Sequence, residues 1–210
     1  MKITRGLLKV FLQFGNPVSI ITKNVLVLRD SDILAELARE NLVRVIFSIT
    51  TLDDNLRLKL EPRSATADKK LKTIKKLTEK EIPVSVMLGP LIPGINNHEI
   101  PKIIKASSEA GARDINMVLV RLNGSIGIIF RDWLARNFPE REEKVRNQIR
   151  ALHNGNVNES RWGYRMKGEG KLADSLHNLF RTVKKQYFRN PYNPDLALDR
   201  FRRNGTGWLY

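Results

Sequence analysis

Two kinds of apolar pattern take turns along this chain: short continuous apolar runs, and segments with apolar residues at helical spacing. Four runs rich in β-branched residues predict buried strands, at 17–22, 42–50, 83–88 and 115–122. Three segments between them carry apolar residues on one helical face and predict helices, at 31–40, 67–80 and 99–110. The strands are almost continuously apolar, which indicates that both faces of the sheet are covered. Regular alternation with short connections therefore predicts an α/β fold with a parallel sheet and right-handed crossovers.

Further helices are predicted on both sides of this block. One contains Leu7, Leu8 and Phe11 at helical spacing, and three more are expected at 128–137, 139–152 and 168–188. The segment from Asn190 is rich in Asn, Pro, Arg and Gly, a composition typical of a poorly ordered terminal segment. We predict an α/β unit over residues 1–125, a helical extension packed on it over 126–189, and a flexible tail over 190–210.

Length and composition favour one soluble domain. With 210 residues, 41% of them hydrophobic, the chain can bury a sizeable core. No apolar run approaches the ~18 residues of a membrane span, so we expect a cytoplasmic protein without membrane contact. The chain has no cysteine, which excludes disulfides, thiolate catalysis and an iron–sulfur site built by this chain alone. Its three histidines are too dispersed for a metal motif, and we predict no metal site.

A net charge of +15 favours polyanionic partners, and basic residues are densest towards the carboxyl terminus. Residues 131–210 hold 17 Lys and Arg against 9 Asp and Glu. Arg161, Arg165 and Lys167 alternate there with Trp162 and Tyr164, a mixture that can bind phosphates and stack bases. We expect these three cations to contact a substrate or a nucleic acid. The alternative is a solvated face of ion pairs around packed aromatic residues.

Polar side chains follow the predicted strands. The hydroxyl and cationic groups at these positions are Thr22, Lys23, Ser48, Thr50, Thr51 and Arg121. Because the carboxyl ends of parallel strands meet at one edge of a sheet, these groups are expected to lie close together. The segment LEPRS, residues 60–64, adds Glu61 and Arg63, and the guanidinium of Arg63 can bind a carboxylate bidentately. This set of groups suits a ligand with a ribose and a carboxylate.

The stretch PVSVMLGPLIPGINNHEI, residues 83–100, predicts a strand, a Gly/Pro-rich turn and a helix start. Its prolines and glycine predict that the strand ends at residue 88. Either Asn96 or Asn97 is expected to cap the next helix, with Glu99 in the first turn. Capping accounts for Glu99 more simply than a role as a general base.

Five segments, taken together, resemble bacterial radical SAM proteins related to spore photoproduct lyase. They are VSIITKN, FSITTLDDNLRLKLEPRSATADKKLKTIKKLTEKEIPV, LGPLIPGINNHEI, EAGARDINMVLVRL and NESRWGYRMKGEG. The resemblance spans about residues 5–188 and implies a partial parallel (β/α) barrel of radical SAM type over 1–125, with extra C-terminal helices. Such proteins bind S-adenosylmethionine at the carboxyl ends of the strands. A 4Fe-4S cluster then cleaves it reductively to a 5'-deoxyadenosyl radical.

The resemblance also assigns cofactor contacts. The residues expected to contact the methionine or ribose part of S-adenosylmethionine are Lys23, Ser48, Thr50 and Arg63. The residues expected to flank its adenine are Ile92, Gly94 and Asn96.

This chain lacks one part of the family pattern. The family holds its cluster on a C-x-x-x-C-x-x-C loop after its first strand, and no cysteine is present here. By the resemblance, the sequence corresponds to the carboxyl-terminal part of a longer protein, whose reading frame is split or truncated. We therefore expect a fragment that is inactive alone, with a separately encoded amino-terminal part as the partner that supplies the cluster. We also expect an unpaired sheet edge near Val18 to Thr22.

Two other functions stay open. One is a barrel enzyme that works without a cluster and uses Lys23 to form a Schiff base or to bind a carboxylate. The other is a non-catalytic module that binds nucleic acid through the basic carboxyl-terminal third. Trapping of Lys23 with a carbonyl substrate would support the first, and salt-sensitive binding of single-stranded DNA would support the second.

Overall fold

The computed structural model describes residues 3–153, 155, 166–189 and 195–203, and the backbone of 207–208. Its strands are β1 (Val18–Thr22), β2 (Val43–Ile49), β3 (Val84–Leu91), β4 (Asp114–Leu119), β5 (Arg202–Arg203) and β6 (Gly207–Trp208). Its helices are α1 (Ile3–Phe14), α2 (Ser31–Arg39), α3 (Asp54–Leu60), α4 (Ala67–Thr78), α5 (Ile100–Glu109), α6 (Ile126–Asn137), α7 (Glu142–Ala151) and α8 (Lys171–Tyr187). Three short 3₁₀ helices cover Val25–Asp30, Asn97–Glu99 and Pro139–Arg141.

The first four strands form one parallel sheet in the order β1-β2-β3-β4, and β5 and β6 form a separate antiparallel pair. Strands that follow each other in the chain are therefore neighbours in the sheet, the usual arrangement where short helical crossovers connect parallel strands. One row across the sheet, set by the pairing register, contains Ile21, Ile46, Ser85 and Asp114. The α/β fold with a parallel sheet and surrounding helices is confirmed.

The main core lies between the sheet and its helices. Alternate residues of β2, including Val45 and Phe47, are fully buried in an apolar cluster that also contains residues of α2, α4 and α5. Full burial of each such side chain stabilises the fold by about 1.5–3 kcal/mol. A second cluster joins α3, α6 and α7 to the carboxyl end of the sheet through Leu56, Ile92 and Ile149. The two clusters together fix the carboxyl edge of the sheet, where the polar residues gather.

The structure extends the third strand beyond residue 88. β3 continues through Pro90 to Leu91, and its register with β4 shifts between Leu88 and Leu91. A residue without an N–H is compatible with a strand at such an irregularity in the ladder. The expected end of the strand at residue 88 is therefore wrong.

Helix α3 lies where the apolar pattern predicts no element. Its buried residue is Leu56, and one buried residue creates no periodicity. The Asp53 side chain accepts a hydrogen bond of 2.8 Å from the Asn55 N–H and so caps the helix. Capping and one apolar anchor are sufficient for this short helix.

The carboxyl-terminal residues 195–203 contact the amino-terminal part of the molecule. The Asn41 amide donates to the Asp195 carbonyl at 2.6 Å, and the Ala197 N–H donates to the Asn41 carbonyl at 2.9 Å. Phe201 stacks on Phe14 with ring centres 6.5 Å apart. These contacts place this segment beside α1 and the end of α2. The division at 125 and 189 and the flexibility of 190–210 stay predictions.

In the part of the chain that the structure describes, no helix combines the length and apolar character needed to cross a membrane.

Candidate functional site

Three predicted polar residues meet at the carboxyl edge of the sheet. Lys23 follows β1, Thr50 follows β2 and Glu61 follows α3. Lys23 Nζ forms an ion pair with Glu61 Oε1 and lies 3.2 Å from Thr50 Oγ1. The Thr50 hydroxyl is 2.7 Å from the same Glu61 oxygen. Lys23, Thr50 and Glu61, which we call the edge cluster, thus join two strand ends and the segment after α3.

Ser48 and Thr50 share the carbonyl of Gly89 on β3. The Ser48 hydroxyl donates to it at 3.0 Å, and the Thr50 hydroxyl lies 2.9 Å away. Thr50 has one hydroxyl proton, so it donates either to this carbonyl or to Glu61 at any moment. Both side chains are buried. Ser48 and Thr50 therefore connect the end of β2 to β3 at the edge cluster.

A second lysine lies beneath the edge cluster. Lys70 of α4 is only 3% exposed, and its Nζ donates to the Ser48 carbonyl at 3.1 Å. Burial lowers the pKa of Lys70 to about 8, and the nearby carboxylate of Glu61 opposes this shift. The sequence predicts a helix over 67–80 whose Leu71, Ile74 and Leu77 face inward and whose many lysines face water, and this prediction is wrong for Lys70. Lys70 shares the buried helix face with Thr73, Ile74 and Leu77, and this spacing is the signal that identifies it.

A cavity of about 380 Å³ opens beside the edge cluster. Its lining consists of Lys23, Asn24, Glu61, Pro62, Arg63 and Ser64. Arg63 is exposed and has no hydrogen bond or ion pair with any described residue. Glu61 Oε2 is buried and likewise has no partner among the described residues. The cavity thus combines cationic donors for a carboxylate with an acceptor oxygen for hydroxyl or ammonium groups.

The turn after β3 is stabilised by its own asparagines. The Ile92 N–H donates to Asn96 Oδ1 at 2.7 Å, and the Asn96 amide donates to the Thr50 and Pro90 carbonyls at 2.8 and 3.0 Å. Asn96 and Ile92 are fully buried. The side chain of Asn96 holds the turn against β2. Because its amide is used in these backbone hydrogen bonds, a ligand beside this turn would meet backbone groups rather than the Asn96 amide.

Gly94 has a positive φ of 78° and packs against α7. A β-carbon at this position would lie 2.7 Å from Gln148 Oε1 and 3.0 Å from Val145 Cγ2. Only glycine adopts this backbone conformation without strain in so small a space. The expected contact of Ile92, Gly94 and Asn96 with an adenine stays a prediction.

The expected capping of the next helix is wrong. Asn96 makes no side-chain capping bond, and Asn97 Oδ1 accepts from the Gly94 N–H at 2.8 Å inside the turn. Glu99 is buried and accepts hydrogen bonds from the Thr51 hydroxyl and the Leu52 N–H, at 2.5 and 2.6 Å. Glu99 therefore connects the start of α5 to the end of β2.

Of the three cations expected to contact a substrate or a nucleic acid, the structure describes Lys167. Arg161 and Arg165 lie outside the described residues. Lys167 is exposed, and its carbonyl is 2.7 Å from His177 Nε2 on α8. The neighbouring Met166 carbonyl accepts from the Leu119 N–H at 3.1 Å, which brings this segment to the end of β4.

The described residues do not fit an iron–sulfur cluster. They contain no group of three or more metal-binding side chains, and the sequence provides no thiolate. Such clusters are bound by cysteine thiolates, supplemented in some centres by histidine. A cluster at this edge would need ligands from outside these 210 residues.

Comparison with known proteins finds matches to the part of the chain that contains the parallel sheet and the edge cluster. The sequence model of the radical SAM superfamily matches residues 3–106, which include β1 to β3 and the edge cluster. This chain belongs to the radical SAM superfamily. Its particular fold is that of spore photoproduct lyase, as the structural comparison below shows.

Two solved structures of spore photoproduct lyase superimpose on the chain. The complex with a dinucleoside spore photoproduct matches 89% of this chain and 54% of the lyase chain, with a TM-score of 0.62 and 16% identity. A mutant with bound AdoMet and the dinucleoside spore photoproduct matches with a TM-score of 0.60, 16% identity and the same coverage. The likeness shows a shared fold.

Curated relatives are similar over about two thirds of the sequence. An uncharacterized protein of Mycobacterium tuberculosis is 28% identical over 147 residues, which cover 69% of this chain and 43% of the relative. An uncharacterized protein of Methanocaldococcus jannaschii is 28% identical over 147 residues, 70% of this chain and 53% of the relative. The chain thus spans about half the length of the relatives it matches.

Proposed function

We propose that this chain is the S-adenosylmethionine-binding part of a radical SAM barrel and is inactive alone. The observation that carries the proposal is the edge cluster beside its cavity of about 380 Å³, within the residues that match the superfamily. The volume falls within the range usual for small-molecule sites. The mutant of spore photoproduct lyase with bound AdoMet shares this fold, which supports the same class of ligand here.

Each charged residue of the cavity has a part in this proposal. Lys23 donates to Thr50 and Glu61, and the third hydrogen of its ammonium group remains for the cofactor carboxylate. Arg63 adds a second cation at the cavity wall. Glu61 Oε2 accepts a hydrogen bond from the cofactor's ammonium or ribose hydroxyl groups, which satisfies its buried oxygen.

Binding of S-adenosylmethionine by the purified chain tests this proposal. Lys23→Gln removes the cation that meets the cofactor carboxylate, and we expect the affinity measured by isothermal titration calorimetry to fall at least tenfold, or about 1.4 kcal/mol. Lys72→Gln is the matched control, because Lys72 is exposed on α4 and pairs with Asp68. Equal affinity of the wild type and Lys23→Gln, or no binding by the wild type, would contradict the proposal.

The structure gives less support to an enzyme that uses Lys23 as a nucleophile. A Schiff base requires a free amine, whereas Lys23 Nζ is already engaged by the Glu61 carboxylate and the Thr50 hydroxyl. The observations favour a carboxylate-binding role for Lys23.

A further inference from the structure

Lys70 is a buried cation that the proposed function does not use. It is 3% exposed on α4, and its Nζ donates to the Ser48 carbonyl at 3.1 Å. Burial of an ammonium group away from water is costly, and lysine is therefore rarely buried without a partner. The other buried residues on this helix face are Thr73, Ile74 and Leu77. Packing alone thus does not require a charge at this position.

The backbone that Lys70 contacts leads directly into the edge cluster. Ser48 lies two residues before Thr50, whose hydroxyl is 2.7 Å from Glu61 Oε1 and 3.2 Å from Lys23 Nζ. The charge of Lys70 interacts with those of Glu61 and Lys23. Lys70 does not line the cavity of about 380 Å³, whereas Lys23 and Glu61 do. Any effect of Lys70 on a ligand in the cavity therefore passes through these two residues.

The charges around Lys70 include one carboxylate that acts on it. The elements that pack most closely on α4 are β2, β3 and the first 3₁₀ helix, and β3 has no charged residue. The charged residues on the other two elements and the nearest one on α3 are Arg29, Asp30, Arg44 and Arg57. Arg29 and Asp30 pair with each other, Arg57 pairs with Asp54, and Arg44 lies at the amino end of β2. Among the described residues, the carboxylate that acts on Lys70 is that of Glu61, which Lys23 also binds.

A carboxylate shared between two ammonium groups leaves one net positive charge. The pair of Lys23 and Glu61 is neutral by itself, and the ammonium group of Lys70 adds the positive charge. A partly buried cluster with this excess charge attracts the carboxylate of a ligand more strongly than a neutral pair does.

We infer that Lys70 is a positioning residue for carboxylate recognition: its ammonium group shares Glu61 with Lys23 and so leaves Lys23 able to bind the carboxylate of the ligand. This inference rests on the proposed function, because S-adenosylmethionine supplies that carboxylate.

Two ligands that differ in the carboxylate test this role. We expect Lys70→Met to bind S-adenosylmethionine about fivefold more weakly than the wild type by isothermal titration calorimetry, with no loss of affinity for decarboxylated S-adenosylmethionine. Lys70→Arg keeps the charge and is expected to bind both ligands as the wild type does. Lys75→Met is the matched control at an exposed position of α4. An equal loss for both ligands would show that Lys70 acts on the structure alone, which overturns the inference.

The pH dependence of binding gives a second measurement, which does not require removal of the lysine. Burial lowers the pKa of Lys70 to about 8, so the free protein loses this charge as the pH rises through that value. A bound carboxylate favours the ammonium form, so the complex holds more protons and the affinity is expected to fall between about pH 7 and 9.

Lys70→Arg is the reference for this pH profile, because its guanidinium stays charged over the whole range. The amino group of the ligand itself titrates at about 7.7–8.0, and comparison at each pH cancels that contribution. The affinity of the wild type relative to Lys70→Arg is expected to decrease about fivefold as Lys70 loses its proton. A ratio that is constant with pH overturns the inference.

These outcomes separate the inference from the proposed function. If the wild type binds S-adenosylmethionine and Lys23→Gln binds it more weakly, while Lys70→Met is unchanged, the role of Lys70 is overturned and the cofactor site remains. Absence of S-adenosylmethionine binding by the wild type overturns the proposed function, and the role of Lys70 with it.

Discussion

At the scale of single residues, the candidate site depends on how charges are arranged around one carboxylate. Glu61 is paired with Lys23, while Lys70 lies beneath them in the protein. The sequence predicted that Lys23, Ser48 and Thr50 would meet, since strand order fixes which ends are neighbours. It did not predict that Lys70 is buried, because the lysines around it are exposed and helical spacing alone separates it from them.

The lowered pKa of Lys70 predicts an unusual response of stability to pH. The folded state releases this proton near pH 8 and the unfolded chain near 10.5, so the unfolded state binds more protons between these values. The free energy of unfolding is therefore expected to rise with pH over this window, by up to about 3 kcal/mol. Urea unfolding of the wild type and Lys70→Met would show this rise in the wild type only. Lys75→Met, at an exposed position on α4, should behave like the wild type, and a rise that persists in Lys70→Met would refute the assignment.

The turn after β3 is expected to be sensitive to substitution at Gly94. Gly94→Ala introduces a β-carbon at positive φ against Gln148 and Val145, and we expect a loss of about 1–3 kcal/mol in unfolding free energy. The control is Gly6→Ala inside α1, where a β-carbon meets no atom within 4 Å. That substitution should stabilise the helix by about 0.5–1 kcal/mol. Chemical denaturation of both variants would measure the contrast, which equal stabilities would contradict.

At the scale of secondary structure elements, the apolar patterns predicted the strands and helices that are buried against the sheet. They did not predict the elements that depend on helix capping or on irregular strand pairing. The four strands and most helices follow the apolar runs, because burial on the sheet determines them. α3 depends on a cap and one buried leucine, and β3 passes through Pro90 at an irregular pairing. Neither capping nor ladder irregularity creates a periodic signal, so both were missed.

Helix α1 is joined to the start of α2 by ion pairs between Arg5 and the carboxylates of Asp30 and Asp32. The Arg5 guanidinium binds Asp32 through two hydrogen bonds and lowers the pKa of that carboxyl, while Arg29 lowers the pKa of the adjacent buried Asp30. Carboxylates with lowered pKa values stabilise the folded state at neutral pH, and this contribution disappears as the pH falls through those values.

Arg5→Gln is accordingly expected to lower the melting temperature by a few degrees at neutral pH, with a smaller difference in acid. Differential scanning calorimetry at several pH values measures both effects. Arg136→Gln is the control, since Arg136 forms an exposed ion pair with Asp132 within α6. A difference for Arg5→Gln that is constant with pH would show that Arg5 acts through packing alone.

At the scale of the whole molecule, the net charge of +15 predicts salt-dependent association with polyanions. We expect the affinity for a single-stranded oligonucleotide, measured by fluorescence anisotropy, to fall linearly with salt on logarithmic axes. Replacing Arg161, Arg165 and Lys167 with Gln should reduce the slope by about 2, at roughly 0.7 for each phosphate that is no longer neutralised. Replacing Lys72, Lys75 and Lys76 with Gln removes the same charge from α4. Equal slopes for the two triple variants would show that total charge, rather than the carboxyl-terminal cations, governs the association.

The contacts of residues 195–201 with α1 and α2 have a consequence for synthesis of the protein. Asn41 and Phe14 receive partners that lie more than 150 residues later in the sequence. A ribosome makes α1 and α2 before residues 195–201, so these contacts form only when residues 195–201 have left the exit tunnel. Helices α1 and α2 therefore complete their packing long after they are made, and chaperones that bind nascent chains have access to them during that interval.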